Sequence, residues 1–331
     1  MKDEELILYR YENDDKKISD KEKIEIKHRI LKRQNRNEGY NMQEKIIEAL
    51  HFYGIKDEEY KKRCLEVVYD INNNEELKNK VEELFYKLYD RNKEGLSKLW
   101  KMKKVSELFG ECNLFITSVM ILLGCDIHRK NMNKYNLSDE QKSIHIKRVK
   151  NALLDDIYKR GYESVRISQM LWASYFINLR IIEVGSLQYE LVTKNPITKE
   201  KEICIKMHVP RGVSLKEKDV RNSIKKSIYE IEKYFNIKNV NYYMESWLLS
   251  PEVLKLLDDN SNILKFSKLF SIKSMGECTR DILDFVFNDV YAKDYNSLVC
   301  KTSLQMKLKR LLVNKNEIHI GIGKLKWVDQ N

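Results

Sequence analysis

Four short stretches hold side chains whose type and spacing could do chemistry. His208 closes an alternating run in which Ile203, Ile205, Met207 and Val209 take one face and Cys204, Lys206 and His208 the other. It stands just before Pro210-Arg211-Gly212-Val213-Ser214. An arginine, a glycine and a hydroxyl ahead of a helix can bind phosphate: the guanidinium offers a charged fork and the helix start offers N–H groups. The same five residues also read as an ordinary strand-to-helix turn with Ser214 as the cap. Glu245 and Ser246 end a second strand, and Gln188 and Glu190 lie on the polar side of a third, where Leu187, Tyr189 and Leu191 are the buried set. Cys204 shares its face with His208, and an imidazole nearby can activate a thiol. A small residue packed on a sheet is the other reading of Cys204.

Several chemistries are excluded. The six cysteines form no C-x-x-C pair, so the spacing of a metal site is missing and no metal is expected. There is no H-E-x-x-H and no G-x-S-x-G. Gly321-Ile322-Gly323-Lys324 resembles part of a phosphate loop, but no helix follows it and the rest of the pattern is absent.

The elements that must position these residues fall in the second half of the chain. All three prolines, Pro196, Pro210 and Pro251, lie there, and the first 195 residues can form long unbroken helices. Residues 1–40 read as a charged leader, with a short strand at Leu6–Tyr9 and a helical turn or two at Ile24–Leu31. Residues 41–165 read as a helical domain. Tyr60, Cys64, Val67, Val68 and Ile71 share one helix face, and Leu77, Val81, Leu84, Phe85 and Leu88 share another. Asn72-Asn73-Asn74 separates the two and offers caps. A helix from Leu96 through Lys103 to Phe109 comes next, then Leu114–Leu123, apolar nearly all round and so central. Ser138-x-x-Gln141 opens a helix with Ile146, Val149, Leu153 and Ile157 inward.

Residues 166–331 change period. Val184–Leu191, with Gly185 as a bulge, and the strand ending at His208 form a hairpin around Thr193–Thr198. Ser214-x-x-Glu217 then caps a helix facing Val220, Ile224, Ile228, Ile231 and Phe235 inward. Asn241–Trp247 is a strand, Pro251–Leu257 a short helix and Asn262–Phe270 a strand. Phe285–Phe287 is a strand or a helix end, Thr302–Val313 a helix and Ile318–Ile322 the last strand. The fold class is therefore α+β, helical first and mixed α/β after.

A formal charge of +11 admits a polyanion partner, either nucleic acid or a phosphate-bearing cofactor. The basic residues are interspersed with acidic ones, without a like-charge block or an RNP motif, which argues against nucleic acid. No apolar run approaches the ~20 residues of a membrane span. The N-terminus is charged from Lys2 on, which excludes a secretory signal and makes the expected location cytoplasmic.

The stretches RIIEVGSLQYEL (180–191), KMHVPRGVSL (206–215), ESWLLSPEV (245–253), SNILKFSKLF (261–270) and TSLQMKL (302–308) resemble a family of bacterial GNAT-like acyltransferases. That family joins a helical N-acyltransferase N-terminal domain to a GNAT-like C-terminal domain, and the likeness spans roughly residues 42–328. It implies an acyl-CoA donor and a small-molecule or peptide amine as acceptor. The implied donor site is Arg211, Gly212 and Ser214, where typical GNAT enzymes carry a Q/R-x-x-G-x-G/A loop that this chain lacks. The implied chemistry places His208 as the base, Glu245 as an alternative base, Ser246 beside the leaving group, and Gln188 and Glu190 toward the acceptor. Loss of the usual loop also admits a non-catalytic GNAT-like module that binds a ligand or partner.

Overall fold

The computed structural model describes residues 41–89, 99–100, 102 and 104–326. The leader's expected strand and helical turns, together with Leu96 and Lys103, lie outside these residues. The chain divides between Arg180 and Ile181 into two compact units.

The first unit is helical, as its periodicity requires. Its main helices are α1 (Met42–Phe52), α2 (Glu58–Asn73), α3 (Glu75–Tyr89), α4 (Ile116–Leu123), α5 (Cys125–Lys134), α6 (Asp139–Leu154) and α7 (Ile167–Ile177). The expected faces of α2 and α3 are buried, except that Phe85 is half-buried. Asn41, Asp57, Asn74 and Ser138 each accept a backbone N–H at a helix start, satisfying donors that the helix itself cannot. Every residue from Ile116 to Leu122 is buried, so α4 is the central helix. Where α6 ends, a π turn over Asp155–Lys159 carries Asp156 inside. There the Arg166 guanidinium grips both carboxylate oxygens at 3.1 Å. Arg160 adds a third bond at 3.1 Å. Of the expected helix from Leu96 to Phe109, Leu99 and the turn Ser106–Phe109 are helical among the described residues, and Trp100, Met102, Lys104 and Val105 are not.

The second unit is a six-stranded mixed sheet. Its strands are β1 (Ile181–Val184), β2 (Leu187–Lys194), β3 (Lys201–His208), β4 (Asn241–Ser246), β5 (Phe270–Glu277) and β6 (His319–Leu325), in the order β1-β2-β3-β4-β6-β5. Only β3 and β4 pair in parallel. The 19-residue helix α8 (Glu217–Phe235) covers β1 and β2 on one face. Its small residues allow this: Ser223 donates to the Val184 carbonyl and lies 2.7 Å from the Tyr189 hydroxyl. Further along come α9 (Pro251–Leu254), α10 (Asn262–Ser267), α11 (Thr279–Ile282) and α12 (Ser303–Val313).

Three sequence expectations change. Gly185 is not a bulge but the first residue of a two-residue turn between β1 and β2, with φ +61° where a type II′ turn favours glycine. Asn262–Phe270 is a helix for most of its length, because Phe266, Leu269 and Phe270 recur at the helical spacing and bury together. The strand begins only at Phe270. Finally, α8 starts at Glu217, so Ser214 does not cap it as a box. The Ser214 hydroxyl instead accepts the Lys216 N–H at 3.3 Å within the turn.

Candidate functional site

The polar face of the sheet is built by register. Glu183 faces Gln188 across β1–β2, Gln188 faces His208, and Glu190 faces Lys206 across β2–β3. Lys206 in turn faces Tyr243 across β3–β4. A period of two therefore puts Glu183, Gln188, Glu190, Lys206, His208 and Glu245 on one surface. A hydrogen bond and an ion pair link them. Glu190 Oε2 lies 2.9 Å from His208 Nε2, and Lys206 Nζ lies 2.7 Å from Glu245 Oε2. Gln188 donates to Glu183 at 2.7 Å.

Both pairs stand at the end of the parallel ladder. Its pairing runs from Cys204–Asn241 to Met207–Met244 and stops there. Beyond it β4 continues to pair with β6 through Glu245 and Ser246, while β3 leaves through Val209 into Pro210, which has no N–H to give. The two strands thus part at His208 and Glu245.

The electrostatics divide the labour among the ionisable groups. Burial pushes Glu245 up, but the Lys206 ammonium and its hydrogen bond, helped by Lys199 and His208, outweigh it and hold the carboxyl below its usual range. Glu245 is therefore an ionised partner of Lys206. Burial pushes the Cys204 thiol up to about 12, with Glu202 and Glu190 adding to it. Cys204 is a sheet-packing residue, donating at 3.6 Å to the Lys194 carbonyl. Glu190 is only 6% exposed and is engaged by the imidazole. When the imidazole donates its Nε2 proton to that carboxylate, Nδ1 is the basic nitrogen of the ring.

Other sequence-named residues stand apart. Ser246 follows Glu245 in an extended strand and so points to the opposite face. Its oxygen accepts the Leu248 N–H at 3.1 Å and caps the turn Trp247–Leu249. Arg211 is committed elsewhere. It donates to the Asp284 carbonyl at 2.9 Å, the Asp284 carboxylate at 3.3 Å, the Phe285 carbonyl at 3.4 Å and the Asn288 side chain at 3.0 Å. It also lies over the Phe285 ring. Gly212 has φ +79° with open space beyond it. Gly321-Ile322-Gly323-Lys324 lies in the middle of β6, the strand expected at Ile318–Ile322. A methyl on Gly321 would meet the Leu249 carbonyl oxygen at 2.0 Å, so this glycine lets the Trp247–Leu249 turn lie on the sheet.

Two groups were not singled out by sequence. Lys206 could have been: it occupies the same polar alternation as His208. Asp281 could not, since no periodic pattern marks the segment around α11. Burial, then Asp284 and Glu245, raise its carboxyl to about 6 against the pull of Arg280 and Lys206. Among the described residues there is no group of three or more His, Cys, Asp or Glu side chains placed to hold a metal. No helix among them is long and apolar enough to cross a membrane.

Residues 181–325 match the family described as the GNAT-like C-terminal domain. No curated protein sequence matches the chain. Among solved structures it is similar to an acyltransferase mutant in complex with octanoyl-CoA, at 16% identity and TM-score 0.69 over 86% of this chain and 88% of that one. A second, an acyltransferase with CoA and 10C-teicoplanin, gives 16% identity and TM-score 0.68 over 85% and 87%. A third, an acyltransferase with decanoyl-CoA, gives 15% and 0.58 over 74% and 78%. At these identities the likeness is one of fold.

Proposed function

We propose, for a chain whose residues 181–325 belong to the GNAT-like C-terminal domain family, that the protein is an acyl-CoA-dependent N-acyltransferase. The observation that carries the reading is the parting of β3 from β4 beyond the Met207–Met244 pair, with the Glu190–His208 and Lys206–Glu245 pairs at that point. A thioester arm entering between the strand ends would bring its carbonyl to these side chains. The fold is shared with acyltransferases solved with CoA, octanoyl-CoA and decanoyl-CoA, one of them also holding a teicoplanin compound. A small molecule bearing an amine is the matching acceptor class.

In this reading the amine nitrogen attacks the thioester carbonyl. A C–N bond forms, and the C–S bond then breaks. His208, oriented by Glu190 through Nε2, takes the nitrogen's proton on Nδ1 and returns it to the leaving thiolate. The donor pyrophosphate would lie at the Pro210–Lys216 turn and the start of α8. Gly212 leaves room there, Lys216 adds a cation and no side chain caps the first turn of α8. Glu217 and Asp219 in that first turn, and the engagement of Arg211, make this a weaker anion site than a glycine-rich loop. That weakness is what favours the second reading, a GNAT-like module that binds without catalysis.

The test is a melting-temperature titration with octanoyl-CoA, followed by thiol release with a panel of primary amines. A donor-dependent rise in melting temperature with amine-dependent thiol release supports the enzyme. His208→Ala should keep the rise and lower kcat by about 10²-fold or more. A rise without thiol release in the intact protein supports a module that binds the donor without catalysis, and no rise at millimolar donor refutes the enzyme and leaves the module that binds another ligand or partner.

A further inference from the structure

Two residues before Gly321, His319 opens β6 and holds the segment that leaves β4 in a second way. Its backbone N–H donates to Glu252 Oε2 at 3.1 Å, and its ring Nδ1 lies 3.1 Å from Glu252 Oε1. The Ser250 hydroxyl donates to the same Oε2 at 2.9 Å. With Nδ1 protonated, one carboxylate gathers three donors and ties α9 to the first residue of β6. The contact underneath is apolar. Val253 of α9 is buried with Ile318, and Trp247 and Ile320 pack against the same cluster. That part is indifferent to pH, and the ring is not.

Carboxylates come to His319 from three elements. Glu252 belongs to α9. Glu317, in the chain just before β6, has its Oε2 3.6 Å from the ring Nε2. Glu277 of β5 is the register partner of His319 across the sheet. Cys278 follows Glu277, and its thiol is pushed up to about 12 by burial, then by Asp281, Glu252 and Glu277, so it stays protonated and adds no charge. Among the described residues, His319 is the only basic side chain in an ion pair with Glu252 or Glu317. A neutral imidazole has one N–H and can serve one of these carboxylates. With Nδ1–H on Glu252, the lone pair of Nε2 stands beside the Glu317 carboxylate, acceptor against acceptor. A proton on Nε2 turns that contact into a second ion pair and makes the first bond charge-assisted.

We infer that His319 is a pH-operated clamp on the segment that leaves β4. Below the ordinary imidazole range, near pH 6.5, the charged ring joins α9 and Glu317 to the start of β6. As pH rises through that range, the Glu317 contact is released and a neutral bond to Glu252 remains. The side chains are 38% exposed at His319, 30% at Glu252 and 84% at Glu317, so water and salt screen the clamp and its effect is moderate. The clamp stands whether or not the protein is an acyltransferase.

The test is amide hydrogen exchange on the intact chain at pH 6 and pH 8, at low salt, with rates corrected for the intrinsic effect of pH. Wild type is compared with His319→Gln and Glu317→Gln. The amides of His319 and of residues 253–255 should be protected about two- to fivefold more at pH 6 than at pH 8 in wild type, relative to the same ratio in His319→Gln. Taking that ratio cancels what the other histidines contribute. It reads the clamp through local or global opening alike, since both break it. Glu317→Gln should lose most of the excess, and about 1 M salt should lower it in wild type. Equal ratios in wild type and His319→Gln would overturn the clamp. An excess that persists unchanged in Glu317→Gln would overturn it as well, because the bond to Glu252 would then account for the whole effect.

Discussion

Lowering the pH should weaken the helical unit through one buried histidine. His145 on α6 is fully buried, its Nδ1–H donates to the Phe176 carbonyl at 3.3 Å, and its Nε2 has no hydrogen-bond partner among the described residues. Burial pushes its pKa from 6.5 down to about 4. In the unfolded chain the same ring titrates near its ordinary value, so between about pH 4 and 6.5 the unfolded state binds more protons than the folded one. The neutral ring's contribution is complete above pH 6.5 and is lost as pH falls toward 4. At about 1.4 kcal/mol per pH unit the whole window is worth roughly 3 kcal/mol, and the step from pH 7 to pH 5 about 2 kcal/mol. His128, whose ring centroid lies 5.9 Å away, is pushed the same way by burial and then by His145 itself. The assay is urea denaturation at pH 7 and pH 5, followed by circular dichroism, on wild type and His145→Phe. Wild type should lose about 2 kcal/mol more across that interval than the variant, whatever the variant's absolute stability. Equal losses would refute the claim that this ring is held neutral by burial.

Other outcomes follow from the same geometry. Gly321→Ala puts a methyl on the Leu249 carbonyl, and should cost at least about 3 kcal/mol in urea denaturation or prevent folding of the second unit. Gly212→Ala meets no atom and faces only its positive φ, so its cost should be about 1 kcal/mol. Arg211→Ala should speed amide hydrogen exchange across residues 279–288, because it removes the bonds that tie that segment down. It should leave the octanoyl-CoA-induced rise in melting temperature unchanged. A lost rise with unchanged exchange would return Arg211 to the phosphate site.

The sequence was informative where a period of two or 3.6 was long and one face was buried. The alternation ending at His208 named the right strand and the right face, and the stripes of α2, α3 and α8 named theirs. It misled where a short run fits both periods. Ile263 to Phe270 alternates in type, yet Phe266 and Phe270 meet one helical turn apart, with ring centroids 5.2 Å from each other. The strand that follows, β5, sits at the sheet edge and is mostly exposed, so no burial pattern was imprinted on it. Nor could local pattern show that Arg211 reaches across 73 residues to Asp284. The end of the parallel ladder and the pairing of Lys206 with Glu245 are likewise products of strand register, which only the folded chain defines.

Gly321 bears on how the protein could be adapted. The backbone of β6 is gripped by β4 on one side and β5 on the other, and the Trp247–Leu249 turn rests on it with no room for a side chain. The exit of β4 is thus an anvil: backbone lying on backbone, with little that substitution can reshape. The segment of residues 279–288 is attached by side chains and carries exposed positions such as Phe285. Substitution, by divergence or by design, has its free play in that segment, while the strand ends stay fixed.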